Sequence, residues 1–415
     1  MIYHKRLLEK KIIKYFESFP CVLLSGPRQV GKSTLLRQLF GARCKTFVFD
    51  PVQDLYGARA DPDLFIRNNP PPLILDEIQY APELVPTLKR YVDEHRAAGL
   101  FLITGSQQWA VMKHLSESLA GRVAILELAG FSMSERSQDS GQCWFGEWIT
   151  KASVDSNAAM EWLLKASGTG QSPSQLIWRG SFPEVQTLSE DVISGWMRGY
   201  VSTYLQRDVR SLLAVKDETQ FASFLTLCTA LTAQECNYSQ MGRDIGLSTP
   251  AAQNWISALR GTFQWLEIPA FSNNQIKKLS QKPKGYVTDT GLACYLLRLA
   301  TPEALLGHPS FGALFETFVV LELSRQVQSL PTVPAFYHFR QHSGAEVDLI
   351  VDINGKLFPV EIKAASSVGA RDTLSIRAFQ EKMGSRSGPG VVIYAGERVL
   401  RLSENCLAVP FDVRF

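Results

Sequence analysis

The sequence has no strong charge excess, no long apolar run and no paired cysteines. Its formal charge of +3 over 415 residues is too close to zero to indicate or exclude nucleic acid as a partner. No apolar run approaches the roughly 20 residues that span a bilayer. The seven cysteines are scattered and never form a C-x-x-C pair. They predict reduced thiols in a cytoplasmic protein, and they speak against a disulfide framework or a zinc site.

What the sequence does contain is the pattern of an α/β protein. From about 21 to 128, short apolar strands such as "CVLLSG", "PLILDE" and "LFLITGS" alternate with amphipathic helices, which predicts a parallel sheet covered on both faces. The length favours two to four domains. We predict a domain built on this parallel sheet over 1–180 with a Ser/Gln-rich insertion near 132–175, a helical domain over 181–300, and a mixed α/β domain over 301–415.

A glycine-rich stretch after the first strand predicts a phosphate-binding loop. Residues 26–33 fit G-x-x-x-x-G-K-[ST], and they stand between an apolar strand and a helix, as that motif requires. The glycines let backbone N–H groups surround phosphates, Lys32 reaches the outer phosphates, and Ser33 holds magnesium. The predicted ATP-binding residues of this segment are Gly26, Pro27, Arg28, Gln29, Val30, Gly31, Lys32, Ser33 and Thr34.

The other strands of this region supply partners for the loop. "LILDE" ends in Asp76, predicted to hold magnesium through water, and Glu77, predicted to take a proton from the attacking water. Thr104 or Ser106 in "LFLITGS" would lie near the γ-phosphate, although a plain strand exit also explains that stretch. Arg122 in "LAGRV" is a candidate arginine finger, with an ordinary solvated charge as the alternative.

With these motifs in place, the chain resembles AAA-type P-loop ATPases of bacteria and archaea that carry a long C-terminal domain of unknown function. The matching stretches follow one another over nearly the whole chain: "SGPRQVGKSTLL", "LILDEIQ", "LITGSQ", "SLAGRV", "GSFPEV", "YLQRDV", "KGYVTDTGL", "FETFVVLEL" and "AEVDLIV…VEIKAA". The resemblance implies an ATPase core that binds ATP and Mg²⁺. It leaves the cellular role open.

The helical middle has the rhythm of a helix-turn-helix. A short helix ends at Gly246, and Ser248 or Thr249 caps a second helix. In a winged helix, Gln253 and Asn254 at the start of that helix would reach the major groove. Only Arg243 and Arg260 are basic there, so a hairpin that packs one domain on another is an equal alternative.

Other basic residues of the middle and of the following strands have solvated or structural alternatives. A lysine-rich loop could follow a phosphate backbone or be merely solvated, and His338, Arg340 and Gln341 could touch a backbone or belong to a half-buried strand. Local ion pairs account for Arg207, Asp208 and Arg210. The lysines of the loop are Lys277, Lys278, Lys282 and Lys284.

Near the C-terminus, acidic residues on two strands suggest a metal site. Asn354-Gly355 predicts a hairpin that places Asp348 beside Glu361 and Lys363. This resembles the PD-(D/E)-x-K nuclease fold, which implies one magnesium ion on Asp348 and Glu361, with Lys363 positioning water. The resemblance adds a helix glutamate to the metal site, for which Glu316 matches best and Glu322 second. The alternatives are a surface hairpin with an ion pair, or a nuclease-like fold that does not cut.

The expected architecture is therefore α/β: a P-loop NTPase parallel sheet, a helical winged-helix-like middle and a restriction-endonuclease-like end. The expected function is slow ATP hydrolysis that couples nucleotide state to DNA engagement, with Mg²⁺-dependent cleavage as an option. The alternative is a nucleotide-driven switch with a homo-oligomer or protein partner and a non-cleaving end. A small-molecule kinase fits less well, since no lid or compact single domain is indicated.

Overall fold

The computed structural model describes residues 3–106, 119–138, 143–204, 218–272, 281–340 and 346–415. These residues form two compact units. The first unit comprises Met1–Phe131, Phe182–Glu184 and Ala258–Gln264, and the second comprises Ser132–Ser181, Val185–Ser257 and Trp265–Phe415. The predicted boundaries at 180 and 300 do not coincide with this division, and the three-domain organisation stays a prediction.

The first unit is built on a parallel sheet. Its helices are α1 (Glu9–Phe16), α2 (Lys32–Phe40), α3 (Pro62–Asn68) and α4 (Leu84–His95), and its strands are β1 (Cys21–Ser25), β2 (Lys45–Val48), β3 (Leu73–Asp76), β4 (Phe101–Gly105) and β5 (Val123–Glu127). The strand order is β2-β3-β4-β1-β5, and every pair is parallel. The predicted α/β class with a parallel sheet is confirmed.

The central strands of this sheet are buried on both faces. Every residue of β1, β3 and β4 is buried, since helices cover both sides of a sheet built from crossovers. Leu23, Leu75 and Ile103 pack in one apolar cluster from these three strands. Strand β4 separates β1 from β3, so the loop after β1 and the polar residues that end β3 and β4 meet at one edge.

The second unit begins with helices where a Ser/Gln-rich insertion is predicted. They are α5 (Met133–Arg136), α6 (Trp144–Val154), α7 (Ser156–Leu163), α8 (Pro173–Arg179) and α9 (Glu190–Tyr204), with the short strand β6 (Ser167–Gly168) between α7 and α8. Phe145, Trp148 and Ile149 are fully buried. Although 132–175 is polar in composition, it contributes buried apolar side chains to the second unit. One of them, Trp148, packs on Phe358 with the ring centroids 5.6 Å apart.

The middle of the chain combines helices with a small antiparallel sheet. Its elements are α10 (Glu218–Ala230), β7 (Gln234–Glu235), α11 (Tyr238–Asp244), α12 (Thr249–Gly261), β8 (Trp265–Ile268) and β9 (Lys284–Val287). The sheet order is β7-β9-β8. The two helices of the predicted helix-turn-helix are present, with Gly246 at a φ of 72° in the turn between them.

The C-terminal part carries a six-stranded mixed sheet, as the sequence predicts. Its helices are α13 (Thr290–Leu296), α14 (Pro302–Leu306), α15 (Phe311–Val327) and α16 (Leu374–Met383), and its strands are β10 (Ala335–Arg340), β11 (Glu346–Ile353), β12 (Lys356–Lys363), β13 (Gly390–Tyr394), β14 (Leu400–Ser403), β15 (Cys406–Pro410) and β16 (Val413–Arg414). The sheet order is β10-β11-β12-β13-β15-β14. The pairs β12–β13 and β13–β15 are parallel, and the others are antiparallel.

The predicted hairpin joins β11 to β12. Asn354 and Gly355 have φ values of 54° and 83°, as the two central residues of a type I′ turn require. Ile353 pairs with Lys356 across the turn. This register brings Asp348 and Glu361 to neighbouring positions on antiparallel strands, as expected.

A pair of short strands joins two parts of the second unit that are far apart in the sequence. Strand β16 pairs with β6, and Asp412 accepts hydrogen bonds there from the backbone N–H and the hydroxyl of Thr169 at 3.1 and 2.7 Å. These two residues lie 243 positions apart.

Across the described ranges, no helix is long and apolar enough to cross a membrane.

Candidate functional site

The loop after β1 has the backbone of a phosphate cradle. Gly26 and Gly31 have φ values of 140° and 91°, which side chains disfavour. A Cβ on Gly26 would lie 2.1 Å from the carbonyl oxygen of Leu128, so only glycine fits. Gln29 also has a positive φ, of 61°. The loop then enters α2 at Lys32, so the helix N-terminus faces the cradle.

Lys32 is buried and turned onto the loop itself. Its ammonium donates to the carbonyl oxygens of Gly26 and Pro27 at 2.8 and 2.6 Å. The positive charge therefore already lies inside the cradle, where the outer phosphates of a nucleotide would replace the carbonyl oxygens as partners. Thr34 lies exposed on the first turn of α2.

Asp76 connects two other predicted site residues, Ser33 and Thr104. Its Oδ1 accepts hydrogen bonds from the hydroxyl of Ser33 at 2.8 Å and from that of Thr104 at 2.5 Å. Its Oδ2 lies 3.7 Å from Arg37 of α2. One carboxylate thus ties the loop, β3 and β4 together. A hydroxyl next to a carboxylate is an oxygen donor set that suits magnesium, so the residues present fit that ion.

Glu77 follows Asp76 in a left-handed conformation with a φ of 59°. Its backbone N–H donates to the Thr104 hydroxyl at 3.0 Å. Its carboxylate accepts from the hydroxyl of Ser106 at 3.2 Å and from the side-chain amide of Gln79. The structure therefore brings Glu77, Thr104 and Ser106 together, and it adds Gln79, which the sequence analysis does not single out.

Arg122 lies away from these contacts. Its guanidinium pairs with Asp93 at 2.5 Å and donates to the carbonyl oxygen of Ala120 at 3.2 Å. Its side chain is 37% exposed. The arginine-finger role of Arg122 remains a prediction.

The most important residue that sequence reasoning missed is Arg6. Its buried guanidinium donates to the carbonyl oxygens of Val30 at 2.8 Å and Ala129 at 2.7 Å, and so braces the phosphate loop against the chain after β5. Arg28, within the loop, donates to the Tyr80 hydroxyl at 3.0 Å. No local pattern marks Arg6, since its partners lie 24 and 123 positions away.

In the second unit, the predicted acidic residues do meet, but around a lysine. The ammonium of Lys284 lies 2.7 Å from Glu316, 3.4 Å from Asp348 and 3.5 Å from Glu346. Tyr286 donates its hydroxyl to Glu316 at 2.8 Å. The expectation of a solvated Lys284 is wrong: the side chain is buried because strand β9 carries it under these carboxylates.

Glu361 and Lys363 complete the cluster. Lys363 donates to Oε1 of Glu361 at 2.7 Å, and the N–H of Ile362 donates to Asp348 at 2.9 Å. Oε2 of Glu361 is buried without a hydrogen-bond partner. Burial and the charge of Asp348 raise the pKa of Glu361 to about 8, against the opposing effect of Lys363.

Glu316 is the helix glutamate that belongs to this cluster. Burial and the charge of Asp348 raise its pKa to about 7, while Lys284 opposes that rise. Glu322 serves elsewhere: it accepts the N–H of Met133 at 3.0 Å and the amide of Gln326 at 2.9 Å. The first choice from the sequence therefore lies at the cluster and the second does not.

A divalent ion does not fit this cluster as it stands. Within the described ranges, no group of three or more His, Cys, Asp or Glu side chains has the arrangement that holds a metal ion. The Lys284 ammonium lies where Glu316 and Asp348 would have to share such an ion. The predicted metal role of Glu316, Asp348 and Glu361 is therefore not supported by the geometry.

The candidate DNA contacts divide into exposed and buried residues. Gln253 and Asn254 are exposed on α12, and Arg243 donates to Ser239 and Gln240 of its own helix. His338 is buried against the carbonyl oxygen of Lys282 at 3.0 Å, and burial lowers its pKa, as a structural role predicts.

Arg340 pairs with Glu235 at 3.7 Å and with Glu346 at 3.9 Å. Several of the basic candidates lie outside the described residues: Arg207, Arg210, Lys277 and Lys278, together with Asp208 and Gln341.

The comparisons with known proteins agree with the first site. Residues 18–137 match the family described as AAA domain. Residues 171–303 and 311–413 match two domains of unknown function, DUF8612 and DUF4143. The N-terminal part is similar to an AAA-type P-loop ATPase. This likeness supports nucleotide binding and hydrolysis by that part.

Whole-chain relatives carry no assigned role. Two uncharacterized proteins, one of Mycobacterium tuberculosis and one of Mycobacterium bovis, are each 27% identical over 99% of this chain and 85% of their own length. Together they support an architecture that extends over all three matched regions.

Among solved structures, a Walker-type ATPase of Pyrococcus abyssi is 15% identical with a TM-score of 0.41, covering 71% of this chain and 96% of its own. A Holliday junction branch migration motor of Thermotoga maritima is 15% identical with a TM-score of 0.28, covering 66% and 94%. Both scores lie below 0.5, and neither likeness bears on the fold.

Proposed function

We propose that the first unit binds ATP with magnesium and hydrolyses it slowly, and that the nucleotide state controls partner engagement by the second unit. The observation that carries the first part is the Asp76 carboxylate, which joins Ser33 of the loop to Thr104 of β4. The loop and the residues that we propose as magnesium ligands and γ-phosphate sensor therefore lie together at one edge of the sheet. Such preassembly is what catalysis of phosphoryl transfer requires.

Each residue then has a role in hydrolysis. Backbone N–H groups of the loop 26–33 bind the phosphates, and Lys32 exchanges its carbonyl partners for the outer phosphate oxygens. Ser33 and Asp76 would hold magnesium, which supplies charge neutralisation when bound. Glu77 orients the attacking water and accepts its proton, with Ser106 and Gln79 holding the carboxylate until then.

Lys32→Ala tests the cradle. We expect hydrolysis to fall by roughly 10²-fold or more and ATP binding to weaken, because the buried charge facing the phosphates is lost. Phosphate release and nucleotide binding would be measured beside Lys10→Ala, which removes an exposed lysine of α1. Undiminished turnover in Lys32→Ala would disprove the cradle assignment.

For the second unit we propose DNA as the partner, on the ground of topology. Helix, strand, two helices and two strands follow one another from α10 to β9, and β9 lies between β7 and β8. A winged helix has the same order of elements, which supports the proposal, and Gln253 and Asn254 lie exposed at the start of the second helix of the turn.

A protein partner is the second candidate. Arg243 is bonded within its own helix, Lys284 is buried, and Arg340 is paired, so these three basic candidates for DNA contact already have partners within the protein. Non-specific DNA affinity would then be no better than roughly 10⁻⁴ to 10⁻⁶ M at physiological salt.

Fluorescence anisotropy of a labelled duplex separates the two candidates. DNA engagement predicts binding that weakens steeply between 50 and 200 mM salt and that differs between ATP and ADP, because phosphate contacts release counterions. The double variant Gln253→Ala/Asn254→Ala should bind the duplex more weakly than the native chain at the same salt concentration. Weak binding that is indifferent to nucleotide, together with nucleotide-dependent self-association, would favour the protein partner.

A further inference from the structure

The C-terminal carboxylate cluster already contains a cation. Lys284 is the first residue of β9, and its side chain is only 4% exposed. Its ammonium makes a 2.7 Å contact to Oε1 of Glu316 and longer contacts to Asp348 and Glu346. Three carboxylates from helix α15 and strand β11 therefore converge on one buried positive charge.

The order of helices and strands around the cluster shows what is unusual about Lys284. Helix α15 precedes an antiparallel run β10-β11-β12, and α16 connects β12 to the parallel strand β13. Glu316, Asp348, Glu361 and Lys363 thus lie on the elements where the resemblance to PD-(D/E)-x-K nucleases expects them. The deviation is the lysine, which arrives from a separate three-stranded sheet.

Lys284 and a divalent ion would compete for the same place. An ammonium 2.7 Å from Glu316 uses the oxygen that a metal would need, and a second cation a few ångströms away would be repelled strongly in a buried site. The Tyr286 hydroxyl also donates to that oxygen at 2.8 Å. This oxygen therefore already has two close partners, the ammonium and the hydroxyl.

We propose that Lys284 is the resident cation of this cluster, so that the C-terminal domain keeps its nuclease-like carboxylates in place without a divalent ion. The proposal does not depend on the ATPase function of the first unit. The cluster then has a structural role, in which one ammonium joins β9 to α15 and β11. Metal-dependent cleavage of nucleic acid is then not an activity of the native chain.

The charges of the cluster are close to balanced without a divalent ion, with four acidic side chains against three basic ones. Glu316, Glu346, Asp348 and Glu361 face Lys284, Lys363 and the more exposed Arg340. Removing one partner of a buried ion pair is strongly destabilising, since the other charge is left uncompensated. Without Lys284 the carboxylates would need another counter-ion, and Mn²⁺ or Mg²⁺ in the buffer would supply one.

Mn²⁺ binding to the nucleotide-free protein tests the proposal. All proteins would carry Ser33→Ala, so that the first unit does not contribute a magnesium ligand pair. The set comprises the otherwise native chain, Asp348→Asn, Lys284→Met, Lys284→Met with Asp348→Asn, and Lys282→Met. Lys282 is the matched control because its side chain is exposed two positions before Lys284.

We expect no Mn²⁺ site that depends on Asp348 in the native chain or in Lys282→Met. Lys284→Met should gain one Mn²⁺ ion per chain, bound at least about tenfold more tightly than any Mn²⁺ on the otherwise native chain, and the added Asp348→Asn should remove it. Electron paramagnetic resonance of free Mn²⁺ counts the bound ions directly. Lys284→Gln replaces Lys284→Met if the latter does not fold.

Two outcomes would overturn the proposal. An Mn²⁺ ion that the native chain binds and Asp348→Asn loses would show that Lys284 does not exclude the metal. A folded Lys284→Met or Lys284→Gln protein that gains no ion would show that the carboxylates never formed a cation position. Neither outcome alters the ATPase assignment, which the Lys32→Ala measurement decides separately.

Discussion

At the scale of single residues, Asp76 is the most consequential side chain of the first unit. It is buried, and Ser33 and Thr104 both donate to its Oδ1. Thr104 also accepts the N–H of Glu77. The Thr104 hydroxyl therefore orients both acidic residues. It donates to the Asp76 carboxylate and accepts from the backbone N–H of Glu77.

Thr104→Val should uncouple that pair. The hydroxyl is lost at nearly constant volume, so Asp76 loses a donor and the Glu77 N–H loses its acceptor, at a cost of about 1–3 kcal/mol in the free energy of unfolding. We expect ATP turnover to fall by roughly 10²-fold. Thr104→Ser keeps the hydroxyl and should retain most of both properties. Equal damage in the two variants would assign the effect to packing instead.

The sequence identifies the candidate members of the proposed ATP site better than the contacts between them. Gly26, Lys32, Ser33 and Asp76 could be predicted because a phosphate cradle needs these residue types at fixed local spacing. Arg6 could not, since its contacts to Val30 and Ala129 arise only when distant segments fold together. Lys284 was misjudged for the same reason: nothing near it in the chain indicates burial among carboxylates.

At the scale of elements, "KGYVTDTGL", one of the stretches that carry the family resemblance, has a structural role at the start of helix α13. Asp289 caps this helix by accepting the N–H of Leu292 at 2.8 Å, and it also accepts the N–H and hydroxyl of Ser181, both at 2.7 Å. Gly180 allows this close approach, because a Cβ there would lie 2.4 Å from Asp289. The stretch "KGYVTDTGL" thus anchors α13 to the chain after α8.

Asp289→Ala should therefore destabilise more than the loss of an ordinary cap. Three hydrogen bonds to one buried carboxylate are removed, and we expect roughly 3 kcal/mol lower stability. Thr301→Ala removes a single exposed cap bond of 3.2 Å on α14 and should cost roughly 1 kcal/mol. Urea midpoints compare the two. A loss for Asp289→Ala no larger than that for Thr301→Ala would contradict the anchoring role.

Elements with strong local signals were predictable, and those defined by packing were not. The turn of the β11–β12 hairpin followed from Asn354-Gly355, whose backbone preferences select the turn type. Helix α6 did not, because "SGQCWFGEW" mixes small and polar residues with its aromatic ones. Trp148 and Phe145 find their apolar neighbours only in the folded second unit.

At the scale of the whole molecule, the cysteines behave as core residues. Cys21, Cys44, Cys228, Cys236, Cys294 and Cys406 are buried, and Cys143 is half-buried. Burial raises the pKa of Cys21, Cys143 and Cys406 to about 12. These groups are neutral in the fold and ionise in the unfolded chain above roughly pH 8.5. Their contribution to stability is complete below that pH and is lost as the pH rises towards 12.

Thiol labelling checks this directly. At pH 8 we expect no thiol of the native chain to react promptly with a disulfide reagent, because the thiolate is the reactive form and burial keeps these groups protonated. As the pH rises, the half-buried Cys143 should react first. All seven should react in denaturant. Cys143→Ser is the control, and it should remove this first reaction at raised pH. Rapid labelling of several thiols in the native protein would be incompatible with their burial.

Whole-molecule organisation was the least predictable level. The parallel sheet of the first unit followed from apolar strands joined by crossovers, and the mixed sheet followed from alternation. The division into units did not, because Phe182–Glu184 and Ala258–Gln264 belong with the first unit although the chain around them belongs to the second. Such assignments depend on contacts that no local pattern reports.

The contact between Thr169 and Asp412 also sets an order in time. The two residues are 243 positions apart, and a ribosome adds about 5–20 residues per second. Roughly 10 to 50 s therefore pass between the synthesis of strand β6 and that of its partner β16. All strands of the parallel sheet have emerged well before then. During its own production the chain therefore passes through a state in which every strand of the parallel sheet has been synthesised and the second unit is unfinished.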